Sequence, residues 1–263
     1  MLDDRRDPAT AAALARFYDL DLADDPGDLD LYRALADRAA GPVLELAVGT
    51  GRVAVPLAAA GHRVTGVDID GAMLERARLG AARAGVDGAA LELVEADIVG
   101  LALPAGPVFG FAFLALNSLM TLGTRTGQRA ALRALAEHLA PGGIAAVDVW
   151  LPDAEDLARY DGRVILEWPR RDPETGTIVT KTGSAQYDAA TGTVALTSIF
   201  EEGGQGGPAA RWIRHDTLRL VSADELAFFA EAAGLRIETL AGGYDLEPLG
   251  RGSDRAVLVA RRP

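Results

Sequence analysis

Apolar residues fall into two rhythms along the first 150 positions. Short continuous runs have the length and the β-branched content of strands: "PVLELAV" (42–48), "HRVTGVDI" (62–69), "LELVEADI" (91–98), "VFGFAFLAL" (108–116) and "IAAVDVWL" (144–151). Segments of helical period lie between them. Residues 11–20 and 29–40 come first, with Leu31, Leu35 and Ala39 near helical spacing before Gly41-Pro42 stops the pattern. Residues 53–60 end at Gly61, and "GAMLERARLGAARAG" (71–85) ends at Gly85. "GQRAALRALAEHLAPGG" (127–143) puts Leu132, Leu135 and Leu139 on one face, offers Thr126 as N-cap and stops at Pro141-Gly142-Gly143. This alternation predicts an α/β fold, a mostly parallel sheet with helices on both faces.

The rhythm changes after residue 150. Residues 163–169, 177–187, 193–202 and 210–220 read as strands joined by the polar turns "DPETGT", "DAATGT" and "EEGGQGGPAA". They predict an inserted antiparallel β cap over residues 151–220. The first pattern then returns as a helix, "SADELAFFAEAAG" (222–234), and two strands, "LRIETL" and "RAVLVAR", which bring the main sheet to seven. The main domain is therefore expected over 1–150 and 221–263.

Composition narrows the function. Hydrophobic residues make up 49% of the chain, enough for a full core, and no apolar run is long enough to span a bilayer as a helix. The start, "MLDDRRDPAT", lacks a signal-peptide core, so a soluble cytoplasmic protein is the expectation. There is no cysteine, which removes disulfides, thiolate metal sites and a cysteine nucleophile. The net charge of −12 and the absence of a basic stripe argue against nucleic acid as partner.

The candidate chemistry gathers at the strand ends. "GTGRVA" (49–54) fits a glycine turn that lets the backbone approach a ligand over the end of the first strand. A dinucleotide would bring a pyrophosphate there. Glu45 in "VLELAV" works against an anion and suits a ligand that carries an ammonium group. Asp68, ending "GVDID", sits where an acid accepts ribose hydroxyls; Asp70 before Gly71 reads as a helix cap. Asp97 in "EADI" is placed to accept from an adenine amino group, with Ile98 against the ring. S-adenosylmethionine has an ammonium, a sulfonium and no phosphate, and it satisfies all three acids.

These stretches resemble the class I S-adenosylmethionine-dependent methyltransferases. The likeness runs through "VLELAVGTGRVAVPLAAAGHRVTGVDIDGAMLERAR", "EADI", "LALNSLMTL" and "LAPGGIAAVDVW" to "GGYDLEPLGRGSDRAVLVAR", and the β cap is similar to that of sugar N,N-dimethyltransferases. The resemblance implies a Rossmann-like seven-stranded sheet, with the cap covering the acceptor site. It implies that Glu45, Ala47, Gly49 and Gly51 surround the methionine part of the cofactor. By the same likeness Asp68 holds the ribose, Ile69 and Met73 face the adenine on one side, and Asp97 and Ile98 face it on the other. Leu116 would face the cofactor after the fourth strand, and Tyr18 and Tyr32 would close over it, with core packing the other reading of Tyr32. Two positions depart from the family pattern: Ala47 stands for its first glycine, and Gly110 for an acid of the fourth strand.

Methyl transfer needs alignment and desolvation of an already activated sulfonium. An amine acceptor needs no base beyond arriving deprotonated; a hydroxyl usually wants one. His62 in "AGHRV" and His138 at a helix end read as structural, which leaves His215 on the last cap strand as the candidate base. Asn117 is the candidate for orienting substrate or cofactor, and Tyr18 is carried as a third catalytic candidate. The sequence shows no metal cluster and no Asn-Pro-Pro-Tyr-like motif. The reading is N-methylation of a small-molecule acceptor with S-adenosylmethionine as donor and S-adenosylhomocysteine as product. The alternatives are O-methylation with His215 as general base, and an NAD-dependent oxidoreductase. Free edges of the cap sheet point to a homodimer.

Overall fold

The computed structural model describes residues 7–24, 26–103, 109–203 and 209–263. In chain order its elements are α1 (Pro8–Asp21), α2 (Leu29–Arg38), β1 (Val43–Leu46), α3 (Ala54–Ala59), β2 (Val64–Asp68), α4 (Gly71–Arg83), β3 (Leu91–Glu95) and β4 (Phe109–Leu114). After a short 3-10 turn at Met120–Leu122 come α5 (Arg125–His138), β5 (Leu139–Trp150) and α6 (Ala154–Arg159). Strands β6 (Asp161–Arg171), β7 (Ile178–Asp188), β8 (Thr193–Gly203) and β9 (Ala210–Arg219) follow, then α7 (Ala223–Ala232), β10 (Arg236–Ala241) and β11 (Arg255–Arg261). Two compact units result: one of Pro26–Leu151 with Val221–Pro263, the other of residues 7–24 with Pro152–Leu220.

The larger unit is built on a seven-stranded sheet in the order β10-β11-β5-β4-β1-β2-β3. β1 is parallel to β2 and β4, and β11 alone runs against its neighbours β5 and β10. Every residue of β1 and β4 is buried, as expected of central parallel strands covered on both faces. The strand order reverses between β1 and β4, which opens a crevice at their carboxyl ends. Gly110 has a local reason: a Cβ there would run into the Ala40 carbonyl, so no acid fits at this point of β4. Helix starts follow capping rules, with one correction. Asp70 caps α4 through the Ala72 N–H (2.9 Å), but Thr124 rather than Thr126 caps α5, accepting from the Gly127 N–H at 3.1 Å.

The smaller unit is the four-stranded antiparallel sheet β6-β7-β8-β9, close to the expected strand limits. Its two described hairpin turns share one chemistry: Gly176 and Gly192 take φ of 71° and 67°, four residues after Asp172 and Asp188. The third turn, over 203–210, lies mostly outside the described residues. Helix α1 belongs to this unit, although residues 1–150 were assigned to the main domain. Phe17 stacks on Phe200 (centroids 5.0 Å) and meets Trp212 edge-on (5.0 Å). Arg16 holds Glu202 with two hydrogen bonds, of 3.1 and 2.7 Å, and also pairs with Asp172. The chain's one lysine, Lys181, is buried and pairs with Asp21 (2.6 Å) and Glu167 (2.8 Å). An amphipathic helix before the first strand carries no local mark of which later sheet it will cover. The short helix α6 was not anticipated; Asp153 and Asp156 form a capping box at its start.

Candidate active site

β1 ends at Leu46, and the chain turns back through three left-handed residues: Ala47 (φ 57°), Gly49 (φ 55°) and Gly51 (φ 80°). Ala47 therefore takes a glycine conformation and carries its strain. A side chain at Gly51 is disfavoured twice, by the positive φ and by a Cβ that would lie 3.0 Å from Val55 Cγ2 and 3.2 Å from Ala77 Cβ of α4. The turn is pinned from β2. Asp68 accepts from the Gly49 N–H (2.8 Å) with one oxygen and from the Asp70 N–H (2.9 Å) with the other. Burial raises its pKa against these two donors. The Ile69 N–H is a third donor, which leaves the carboxylate room for one more.

Glu45 sits beneath the turn, 3% exposed. One side of its carboxyl is served by the Ala54 N–H, while Oε2 has no partner among the described residues. Burial pushes its pKa well above the ordinary glutamate value, and nearby Arg52 offsets this only in part. Arg52 itself is committed to the fully buried Asp28, just ahead of α2, through two parallel bonds of 2.6 Å. A buried carboxylate oxygen with nothing to accept from is costly, and a cationic donor would relieve it.

The other expected residues follow β2 and β3, with Met73 in the first turn of α4. Asp97 is exposed and accepts from the Val99 N–H at 2.7 Å, Ile98 is buried at 6% exposure, Met73 is half-buried, and Ile69 stands 59% exposed beside Asp68. Beyond β4, Leu116 and Asn117 both take left-handed backbone, with φ of 49° and 65°. They are held from β5: the Leu116 N–H donates to Asp148 Oδ1 (2.8 Å), and the Trp150 N–H donates to Asn117 Oδ1 (2.5 Å). Among the described residues no group of three or more His, Asp or Glu side chains is placed to hold a metal. No described helix is long and apolar enough to cross a membrane.

Residues 43–143, from β1 into the start of β5, match the methyltransferase-domain family. That stretch is a methyltransferase domain. A comparison with curated proteins returns no match. Among solved structures, the CcbJ methyltransferase from Streptomyces caelestis is similar at 27% identity, over 92% of this chain and 98% of that one, with a TM-score of 0.74. The sugar N-methyltransferase KedS8 from Streptoalloteichus is 23% identical over 93% of this chain and 92% of its own, with a TM-score of 0.70. S-adenosylmethionine-bound CalS10, an amino pentose methyltransferase from Micromonospora echinaspora, is 22% identical, covers 89% and 88%, and has a TM-score of 0.65.

The methyl donor bound in CalS10 is S-adenosylmethionine. The residues present fit it. The unpartnered Glu45 oxygen would suit its ammonium, the glycines at 49 and 51 would let the backbone lie against its methionine chain, and Asp68 would accept from its ribose. An NAD pyrophosphate would set an anion against Glu45.

Three expected residues remain, one in the core and two in the meander unit. Tyr32 is fully buried: its ring stacks on Phe113 (4.5 Å) and its hydroxyl donates to Asp148 (2.5 Å), so it is a core residue rather than a lid over cofactor. Tyr18, on α1, and His215, on β9, belong to the meander unit. His215 is exposed, and its Nδ1 lies 3.1 Å from the Thr197 hydroxyl across the strand pair. The strand alternation puts it on the face opposite Trp212 and α1. His62 pairs with Asp37 (3.0 Å), and His138 closes α5 on the Ala134 carbonyl (2.7 Å), both structural as expected. The sequence reading missed the Asp28–Arg52 pair and Asp148. Asp148 did carry a signal, an acid within the apolar run "IAAVDVWL", the same kind of signal that singled out Glu45.

Proposed function

We propose that this methyltransferase N-methylates a small-molecule amine, of the amino-sugar class. Glu45 carries the donor half of the reading: a buried carboxylate oxygen left without a partner fits an amino-acid ammonium. The acceptor half is supported by the overall likeness to KedS8, a sugar N-methyltransferase, and CalS10, an amino pentose methyltransferase. A net charge of −12 also disfavours nucleic acid as acceptor. The bound donor supplies a sulfonium-activated methyl group. A new nitrogen–carbon bond forms as the carbon–sulfur bond breaks, and the amine's proton passes to solvent. The chain has only to bind, align and exclude water.

O-methylation with His215 as base is the second reading. His215 Nδ1 meets a hydroxyl, Thr197, and among the described residues no carboxylate bonds its ring to orient it as a base. His215→Ala is expected to keep turnover of an amino-sugar acceptor within about threefold, measured as S-adenosylhomocysteine formed; loss of about a hundredfold or more would favour the hydroxyl reading.

The proposal includes pairing with a second copy through β6. Val164, Ile165 and Leu166 stand on this edge strand 64%, 53% and 63% exposed. Antiparallel pairing of two copies around Ile165 would set Val164 against Leu166 and Arg163 against Glu167, apolar on apolar and cation on anion. Sedimentation should give a dimer for the wild type and a monomer for Ile165→Lys. A wild-type monomer at micromolar concentration would end this part of the proposal.

A further inference from the structure

Leu116 and Asn117 are consecutive non-glycine residues in left-handed backbone, an arrangement that persists only where its surroundings hold it. The holder is a buried polar cluster within the larger unit. Asp148 is 0% exposed, two residues before the carboxyl end of β5. Its Oδ1 accepts from the Leu116 N–H (2.8 Å) and the Tyr32 hydroxyl (2.5 Å). Its Oδ2 accepts from the Tyr244 hydroxyl (3.0 Å) and lies 3.4 Å from the Arg255 guanidinium. Arg255 also bonds the Tyr244 hydroxyl and lies 4.2 Å above the centre of its ring. Two residues further along the same strand, the Trp150 N–H secures Asn117 (2.5 Å).

Stability alone does not explain this cluster, because a buried ionic group is rarely better than well-packed apolar residues of the same volume. What it specifies is a backbone, and that backbone has a definite place. β4 pairs with β1 so that Phe113 stands level with Glu45, and the chain leaves the sheet just after, at the crevice where the strand order reverses.

We propose that Asp148 is a positioning residue for methyl transfer: anchored by Tyr32, Tyr244 and Arg255, it fixes Leu116–Asn117 in the conformation that completes the methionine end of the cofactor pocket. The proposal rests on the methyltransferase reading. It extends the site to four side chains, Tyr32, Asp148, Tyr244 and Arg255, that act through the backbone they hold.

The test combines amide hydrogen exchange with calorimetric titration of S-adenosylhomocysteine, on wild type, Asp148→Ala and Tyr244→Phe. Asp148→Ala should speed exchange at the Leu116–Ser118 amides at least about tenfold, leave Val43–Leu46 within about twofold, and weaken S-adenosylhomocysteine about tenfold. Tyr244→Phe keeps the Asp148–Leu116 bond and should show the same pattern at about threefold, so the proposal stays open to test if Asp148→Ala does not fold. Unchanged exchange at the turn, or loosening spread evenly over β1, β4 and β5, would overturn it. Failure of the wild type to bind S-adenosylhomocysteine would remove the methyltransferase reading instead, and the exchange pattern would still decide whether Asp148 anchors the turn.

Discussion

Glu202 of the meander unit and Glu45 of the seven-stranded unit are both strand glutamates, and their surroundings drive them in opposite directions. Glu202 accepts from Arg16 (2.7 Å), Thr177 (2.6 Å) and Thr175 (3.1 Å), and Arg16 leads in holding its pKa down at about 2. Glu45 is more deeply buried, keeps one oxygen without a partner, and has its pKa raised well above the ordinary value by burial. The contrast extends to their neighbours. In the meander unit, Asp172 and Lys181 are also buried and both are paired within the unit. Where the chain supplies every partner, a buried charge is part of the framework. Where it withholds one, as at Glu45, the carboxylate is open to a donor from outside the chain.

This comparison can be broken first at Arg16. Arg16→Ala strands Asp172 and Glu202 together and should cost about 3 kcal/mol in urea unfolding, with S-adenosylhomocysteine affinity unchanged within about twofold. A loss below about 1 kcal/mol would show that the network is not framework. The next effect is one of pH, and the two glutamates have opposite signs. Glu202, with a depressed pKa, contributes stability above the ordinary glutamate value that is lost as pH falls towards about 2. Glu45, with a raised pKa, contributes stability present below the ordinary value and lost as pH rises through its folded value. Acidification from about pH 5 to about pH 3 should therefore cost the wild type about 2 kcal/mol more than Arg16→Ala, by chemical unfolding at each pH. The smallest effect sharpens the cofactor side: Ala47→Gly relieves a left-handed alanine and should raise stability by about 0.5 kcal/mol, since glycine's chain entropy offsets part of the strain. A destabilised variant would show that the Ala47 methyl has a packing role.

Local pattern made much of this legible. The strand runs, the glycine turn and the acids at or just after the ends of β1, β2 and β3 have fixed short spacings, so their placement can be read from the sequence. The meander strands were legible for the same reason, through repeated Asp-to-Gly turns such as Asp172–Gly176 and Asp188–Gly192. Partnerships across long separations were not. Tyr32 and Asp148 meet across 116 positions, Tyr244 and Asp148 across 96, and Arg16 and Glu202 across 186. No periodicity encodes those pairs; only the completed sheet order brings them together. Tyr32 was thus placed over the cofactor as one of two readings, while its hydroxyl serves Asp148 inside the core.

The most direct test of the orphaned carboxylate is calorimetric titration of S-adenosylhomocysteine against wild type and Glu45→Gln near neutral pH, alongside a thermal melt of each ligand-free protein. The structure predicts that wild type binds, that Glu45→Gln weakens binding about a hundredfold, and that the ligand-free variant melts no lower than wild type, because removing an unpartnered buried acid removes its burial penalty. Equal affinity in the two proteins, or a Glu45→Gln variant that is less stable without ligand, would contradict the claim that Glu45 is kept for the cofactor's ammonium.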